Sequence, residues 1–216
     1  MRLMTSPRRY STADRWLLPL AQGLNLLAPH HGARPSPAEG QEEAVMAARE
    51  RRHAAGLMRV NHAGEVAAQG LYHGQAATAR GGEVAAQLRA AAEEERDHMQ
   101  WCDARLRELG SRPSLLSPLW YAGSFALGAA AGMAGDRWSL GFVAETERQV
   151  SEHLGDHLHR LPQDDRRSRA VVAQMQTEEA RHGAEATAAG GANLPQPVRA
   201  LMARVAHVMK LAAYRL

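Results

Sequence analysis

Hydrophobic positions recur along the chain at the spacing of helices, and almost no stretch alternates between polar and apolar residues as a strand would. Glycines and prolines separate the periodic segments, because both residue types end helices. A Pro-rich segment follows a first amphipathic stretch at 14–27. Four long helices with accessory ones favour an all-α helix bundle. The pattern predicts helices at about 42–79, 83–109, 136–161, 164–189 and 197–215.

Composition supports a helical protein with one folded domain. The 216 residues contain no isoleucine, and only 5% are aromatic, so a large sheet would lack strand-forming residues. We predict that residues 1–40 are an N-terminal amphipathic segment with a Pro-rich linker, and that 41–216 form the domain. The basic N-terminus lacks the apolar core of a signal peptide, so secretion is not expected.

Cysteine count and charge restrict the chemistry. Cys102 is the only cysteine, which excludes an internal disulfide and a Cys-rich zinc or iron–sulfur site. The net charge of +3 is too small to indicate nucleic-acid binding, although it favours an anionic membrane surface. A metal site in this chain must therefore use Glu, Asp and His.

Two Glu-x-x-His motifs are candidates for metal binding. Glu95 precedes His98, and Glu179 precedes His182, so each pair lies on one face of its helix and can hold one ion. Each motif alone is weak, because chance supplies about 0.8 matches at this composition. A third match, Glu50 with His53, is present.

The arrangement of the motifs carries more information than either motif. Glu65 and Glu147 lie on the preceding helices, so that positions 65, 95 and 98 recur at 147, 179 and 182 with offsets of 82, 84 and 84. Such a duplicated helix pair presents four carboxylates and two imidazoles inside a four-helix bundle, the ligand set of ferritin-like di-iron or di-manganese proteins. Glu50 and His53 have no counterpart.

The charges of this set are those of a two-metal site. Four glutamates balance two divalent ions, and oxygen ligands with some imidazole suit iron or manganese. Glu145 or Glu178 could replace its neighbour Glu147 or Glu179, although the spacing to His182 favours Glu179. The alternative is that these residues are solvated side chains of amphipathic helices.

At these residues the chain resembles the demethoxyubiquinone hydroxylase family of ubiquinone biosynthesis. The similarity runs from about Pro35 to the C-terminus. Position 178 departs from the family pattern, which more often carries Asp there. The matching segments are Arg59-Val-Asn-His-Ala-Gly-Glu65, Glu94-Glu-Arg-Asp-His98, Gly141-Phe-Val-Ala-Glu-Thr-Glu147 and Glu178-Glu-Ala-Arg-His182.

The resemblance implies a ferritin-like di-iron monooxygenase. It would hydroxylate the ring of a 2-polyprenyl-3-methyl-6-methoxy-1,4-benzoquinol with O₂, using electrons from an external reductant, in the penultimate step towards ubiquinone. Glu95 and Glu179 would bridge the metals. The iron ligands that the resemblance implies are Glu65, Glu95, His98, Glu147, Glu179 and His182.

Several neighbours of these ligands have open roles. Asp97 and Glu178 are candidates to hold the histidine ligands in place, or are ordinary surface acids. Tyr72 lies seven residues after Glu65 and faces either the cavity or the core. His62 is a packed histidine or a support for the site, and Cys102 needs no functional role.

The segment between Arg112 and Asp136 contains no charged residue. Its length would just span a bilayer, but crossing would place Glu95 and Glu147 on opposite sides. We therefore predict a long apolar crossover helix between the second and third bundle helices, with a face for lipid and for a polyprenyl substrate. The alternative is a crossover buried against the bundle or in a dimer. An apolar stripe on the tail helix would extend the surface with Leu201, Val205, Val208 and Ala212.

These features predict a peripheral protein of the cytoplasmic side of the cell membrane, acting as a homo-oligomer or with other ubiquinone-biosynthesis proteins and without nucleic acid. The competing hypotheses are a ferritin-like iron-storage protein without an organic substrate, and a quinone-binding scaffold. The uncharged crossover argues against storage, because a soluble cage gains nothing from such a surface.

Overall fold

The computed structural model describes residues 34–43 and 45–216, in which every regular element is a helix. The amphipathic stretch predicted at 14–27 lies outside the described residues. The prediction of an all-α protein is confirmed, and glycine or proline lies in most of the connections. The helices are α1 (Ala48–Thr78), α2 (Gly82–Glu108), α3 (Ser117–Met133), α4 (Asp136–Arg160), α5 (Arg166–Ala188) and α6 (Gln196–Ala213).

Helices α1, α2, α4 and α5 form the four-helix bundle. Helix α1 packs against α2, α4 packs against α5, and α2 and α5 meet across the bundle. Two apolar clusters fill its interior, one containing Met58, Trp101 and Met175 and the other containing Tyr72 and Val143. On each bundle helix, the predicted metal ligands lie between the residues of these two clusters. The core therefore encloses the candidate site from both ends.

Helix α3 is the predicted crossover, and it packs along α1 through glycines. A Cβ atom placed on Gly74 would lie 2.1 Å from the carbonyl oxygen of Phe125. One on Gly128 would lie 2.1 Å from the carbonyl oxygen of Leu71. Both neighbours are backbone atoms, which cannot move aside as the end of a flexible side chain can. The two helix backbones can approach this closely only because these positions carry no side chain.

We expect Gly128→Ala to destabilise the protein although alanine is the better helix former. The clash should cost about 1–3 kcal/mol and outweigh a gain in helix propensity of at most about 1 kcal/mol. The matched control is Gly123→Ala on the same helix, where a Cβ atom meets nothing within 4 Å and only the gain remains. Denaturant unfolding measures both variants. A Gly128→Ala protein as stable as Gly123→Ala would contradict the close packing.

Large apolar side chains are exposed on the outer sides of α3 and α6. Leu119 and Leu127 of α3 are 60% and 49% exposed, and Leu201 and Val208 of α6 are 60% and 61% exposed. The Leu115 amide near the start of α3 donates to the carbonyl oxygen of Leu216 beyond the end of α6, at 3.0 Å. Within the described ranges, no helix combines the length and the apolar character that crossing a bilayer requires.

Candidate metal centre

Four helices direct six acidic and histidine side chains to one place in the bundle interior. All six are buried, with at most 5% of each residue exposed. In each Glu-x-x-His motif the two side chains point to the same side of the helix, because residues three apart share a face. The six residues are Glu65 on α1, Glu95 and His98 on α2, Glu147 on α4, and Glu179 and His182 on α5.

One half of the cluster is centred on His98. Its Nδ1 atom lies 3.0 Å from Glu95 Oε2, 3.1 Å from Glu179 Oε1 and 3.9 Å from Glu65 Oε2. One ligand atom from each of these four residues lies within 4.8 Å of all the others. Ligands about 2.0–2.2 Å from one ion are separated by distances of this order. This half could hold one metal ion.

The other half is centred on His182. Its Nδ1 atom lies 3.0 Å from Glu95 Oε1 and 3.6 Å from Glu179 Oε2. Glu147 lies beside Glu179 and accepts a hydrogen bond from the hydroxyl of Tyr72. Glu95 and Glu179 therefore each turn one oxygen towards His98 and the other towards His182, the orientation that a carboxylate shared by two ions would have.

The cluster holds more negative charge than a protein interior tolerates alone. Burial, together with the charges of Glu179 and Glu95, raises the pKa of Glu65 well above its usual range. Burial and Glu179 likewise raise the pKa of Glu147. Burial opposes ionisation of Glu95 as well, but His98 and His182 hold the pKa of that carboxyl below its usual range. Burial would lower the pKa of His182, but contacts with Glu179 and Glu95 raise it to about 11. The carboxylates therefore require positive charge beside them.

Three buried ligand atoms of the cluster contact one another but make no hydrogen bond of acceptable geometry. Glu95 Oε1, Glu179 Oε2 and His182 Nδ1 are buried without a hydrogen bond of acceptable geometry to any described residue. Buried polar atoms without a hydrogen bond are rare and call for an explanation. Two divalent cations would satisfy these atoms and balance the four carboxylates, so the residues present fit a two-metal site.

The Nε2 atom of each histidine contacts a glutamate of the facing helix. His98 Nε2 lies 2.6 Å from Glu178 Oε2, and His182 Nε2 lies 2.9 Å from Glu94 Oε2. Such contacts orient metal-binding imidazoles and fix which nitrogen faces the metal. Glu178 was a candidate for this role, whereas Glu94 was missed. The doubled glutamates at 94–95 and 178–179, 84 residues apart, were the signal that identifies it.

The remaining sequence candidates lie around the cluster or away from it. Asp97 accepts from Arg34 Nε at 2.5 Å, and Arg34 also binds Glu178. Tyr72 is fully buried and reaches the site through Glu147. His62 is buried, and Cys102 lies in the apolar core with its Sγ 3.7 Å from Met175 Sδ.

The structure separates the alternative glutamates from the cluster. Glu145 accepts from Arg148 at 2.7 Å and pairs with Arg199 at 3.3 Å, so it faces away from Glu147. The third motif is also elsewhere, because His53 Nδ1 lies 2.7 Å from the Tyr214 hydroxyl. Glu50 is exposed and accepts from the amide of Ala47 at the start of α1.

A small cavity of about 90 Å³ adjoins the cluster on the His182 side. Apolar side chains make up much of its wall, including Leu88 of α2 and Val143 of α4. Tyr72, Glu94 and His182 also line it, so it reaches residues of the site itself. The cavity is therefore a largely apolar space beside the candidate metal ligands.

Comparison with known proteins identifies the family of this bundle. Residues 52–213 match the family model described as ubiquinone biosynthesis protein COQ7, and this range includes all six candidate ligands. The chain belongs to this family. The family resemblance inferred from the four motif segments is thereby confirmed.

Curated members of the family are close relatives. A protein of Cupriavidus taiwanensis is 63% identical over 186 residues, covering 85% of this chain and 90% of its own length. One of Xanthomonas euvesicatoria is 52% identical over the full length of both chains. One of Xanthomonas oryzae is 54% identical over 98% of this chain and 99% of its own. All three are named 3-demethoxyubiquinol 3-hydroxylase.

Proposed function

We propose that this chain is the hydroxylase of its family. It would add one oxygen atom from O₂ to the ring of a 2-polyprenyl-3-methyl-6-methoxy-1,4-benzoquinol in ubiquinone biosynthesis, and the other oxygen atom would leave as water. The observation that carries the proposal is the buried cluster of four carboxylates and two imidazoles, three of whose ligand atoms make no hydrogen bond. Family membership and the shared name of the relatives support the substrate.

The cluster would hold two iron ions. Each half offers an imidazole and carboxylate oxygens, a donor set that suits iron. Glu95 and Glu179 are the bridging candidates, since each faces both histidines. When bound, the two ions supply the activation of O₂ with two electrons from an external reductant.

The protein's own residues supply position and a dry environment. The two apolar clusters enclose the site, so that little water can compete with the substrate. The substrate ring would reach the site through the cavity beside Tyr72 and His182. The volume of this cavity is about 90 Å³, so the cavity must widen to admit a substituted ring. Tyr72, which lines the cavity, holds the Glu147 carboxylate through its hydroxyl.

The protein would act as a peripheral protein on the cytoplasmic side of the cell membrane. Exposed leucines and valines on α3 and α6 give it an apolar contact for lipid, from which a polyprenyl quinol must be taken. The storage hypothesis does not explain this apolar surface. The scaffold hypothesis does not explain the buried set of metal-binding side chains.

The test is a single-turnover experiment with the iron-loaded protein. We expect anaerobic protein, given a demethoxyquinol and reductant and then isotope-labelled O₂, to yield a hydroxylated ring carrying one labelled oxygen atom. Mass analysis of the product measures this. Consumption of O₂ with iron oxidation but without change in the quinol would favour the storage hypothesis.

The iron assignment makes a separate prediction about stoichiometry. We expect two iron ions per chain after reconstitution, because the duplicated halves each offer a complete donor set. Metal analysis measures this ratio. A protein that binds a single ion, or that binds zinc in preference and shows no iron-dependent activity, would contradict the assignment.

A further inference from the structure

Arg34 lies ahead of the bundle helices and joins two of them. Its Nη1 and Nη2 atoms donate to the two oxygens of Glu178 on α5 at 2.7 and 2.9 Å. Its Nε donates to Asp97 on α2 at 2.5 Å. The guanidinium also lies over the ring of Trp101, 4.8 Å from its centre. One side chain of the N-terminal segment therefore ties α2 to α5.

These contacts lead directly to a candidate metal ligand. Glu178 Oε2, which accepts from Arg34, also lies 2.6 Å from His98 Nε2. The other oxygen of Glu178 accepts from Gln174 at 2.6 Å as well as from Arg34. Both oxygens of Glu178 are thus fixed while one of them orients the His98 ring. Arg34 is two contacts from the cluster.

The geometry of this contact needs arginine. A planar guanidinium can grip one carboxylate with two parallel hydrogen bonds and present its third nitrogen to another carboxylate. The ammonium of a lysine is a point charge that cannot hold Asp97 and Glu178 in this way. Glu178 and Asp97 have side chains only 9% and 8% exposed, so the contact is shielded from water at the carboxylate end.

The second half of the cluster is supported differently. Glu94, which faces His182, is held by Arg181 at 2.6 Å, and Arg181 is the residue before His182 on α5. The side chain of Glu94 is 42% exposed. Support for His182 therefore comes from the bundle itself, whereas support for His98 comes from α5 together with Arg34, which lies outside the bundle.

We propose that Arg34 is a positioning residue for the His98 half of the metal centre, and that metal binding there and docking of residues 34–43 stabilise each other. The inference rests on the proposed two-metal site. If Arg34 orients His98 through Glu178, a bound ion that fixes His98 must in turn favour the docked segment, because coupling of this kind is reciprocal.

The first test is Co²⁺ titration of the full-length protein against a competing chelator. We expect two ions to bind the native chain, and Arg34→Ala to weaken one of them roughly tenfold, the low end for residues that orient metal ligands. The visible Co²⁺ spectrum should change for that ion alone. Arg34→Lys should behave like the alanine variant.

The matched control is Arg107→Ala. Arg107 pairs with Asp103 on the exposed side of α2 and touches no residue of the cluster, so both affinities and the spectrum should remain native. Equal weakening of both ions by Arg34→Ala, or native binding in that variant, would overturn the positioning role.

The second test is amide hydrogen exchange of residues 34–43 with and without Co²⁺. Metal should slow exchange in this segment in the native protein and have little effect on it in Arg34→Ala. If Co²⁺ does not change the exchange rates of residues 34–43 in the native protein, the coupling is refuted. Both tests use metal binding without turnover, so a native protein that binds two ions but does not hydroxylate the quinol would refute the proposed function and leave this inference standing.

Discussion

Alanine in place of Glu95 or Glu179 should abolish hydroxylation of the demethoxyquinol. Each of these carboxylates faces both histidines, so its loss removes a donor from both halves of the site. We expect a fall in turnover of more than about a hundredfold, beyond the roughly 10–100-fold typical of residues that only orient ligands. Product analysis and metal analysis of the same samples measure the loss.

The matched control uses the third Glu-x-x-His motif. Glu50→Ala should retain nearly native activity, because Glu50 is exposed at the start of α1 and lies outside the cluster. Equal loss in all three variants, with folding preserved, would mean that the wrong motifs have been chosen.

Unfolding of the metal-free protein separates chemistry from stability. Glu65→Gln keeps the volume of the side chain but removes a carboxyl whose pKa is raised by burial and by the charges of Glu179 and Glu95. At neutral pH the metal-free variant should be at least as stable as the native chain, since ionising this buried carboxyl without a counter-ion costs free energy. A variant that loses both activity and stability would indicate that Glu65 is a structural residue.

The sequence predicts the bundle and the convergence of six side chains well, because both depend on spacing along helices. The offsets of 82 and 84 residues place Glu147, Glu179 and His182 opposite their counterparts before any coordinates are known. Glu94 follows from the same duplication as the counterpart of Glu178, so it could have been predicted too.

Contacts made by loop residues have no such periodicity. Arg34 and Glu178 are 144 positions apart, and nothing in the spacing of an arginine in a Pro-rich segment indicates its partner. The uncharged crossover shows a related difficulty, because the composition of 113–135 does not distinguish its two faces. In the structure Phe125 lies on the side that packs along α1, while Leu119 and Leu127 face outward.

That division of the crossover leads to a second prediction with a large expected effect. Replacing Leu119 and Leu127 with Asp should weaken binding to anionic phospholipid vesicles at least about tenfold, since each leucine buried in lipid contributes roughly 1.5–3 kcal/mol. Activity on a long-tailed quinol should fall with it, while activity on a short-tailed analogue should stay nearly native. Vesicle sedimentation and product analysis with both substrates measure these effects.

The control for this prediction is Val45→Asp, which places the same charge at a fully exposed apolar position outside the two helices. It should leave vesicle binding and both activities unchanged. Stability should be nearly native in all of these variants, because exposed substitutions usually shift it by no more than about 0.5 kcal/mol. Equal loss of activity on long-tailed and short-tailed quinols would mean that the substitutions disturb the site through α1. Unchanged vesicle binding would show that this face of α3 meets something other than lipid, and the peripheral membrane proposal would then fail while the metal centre stood.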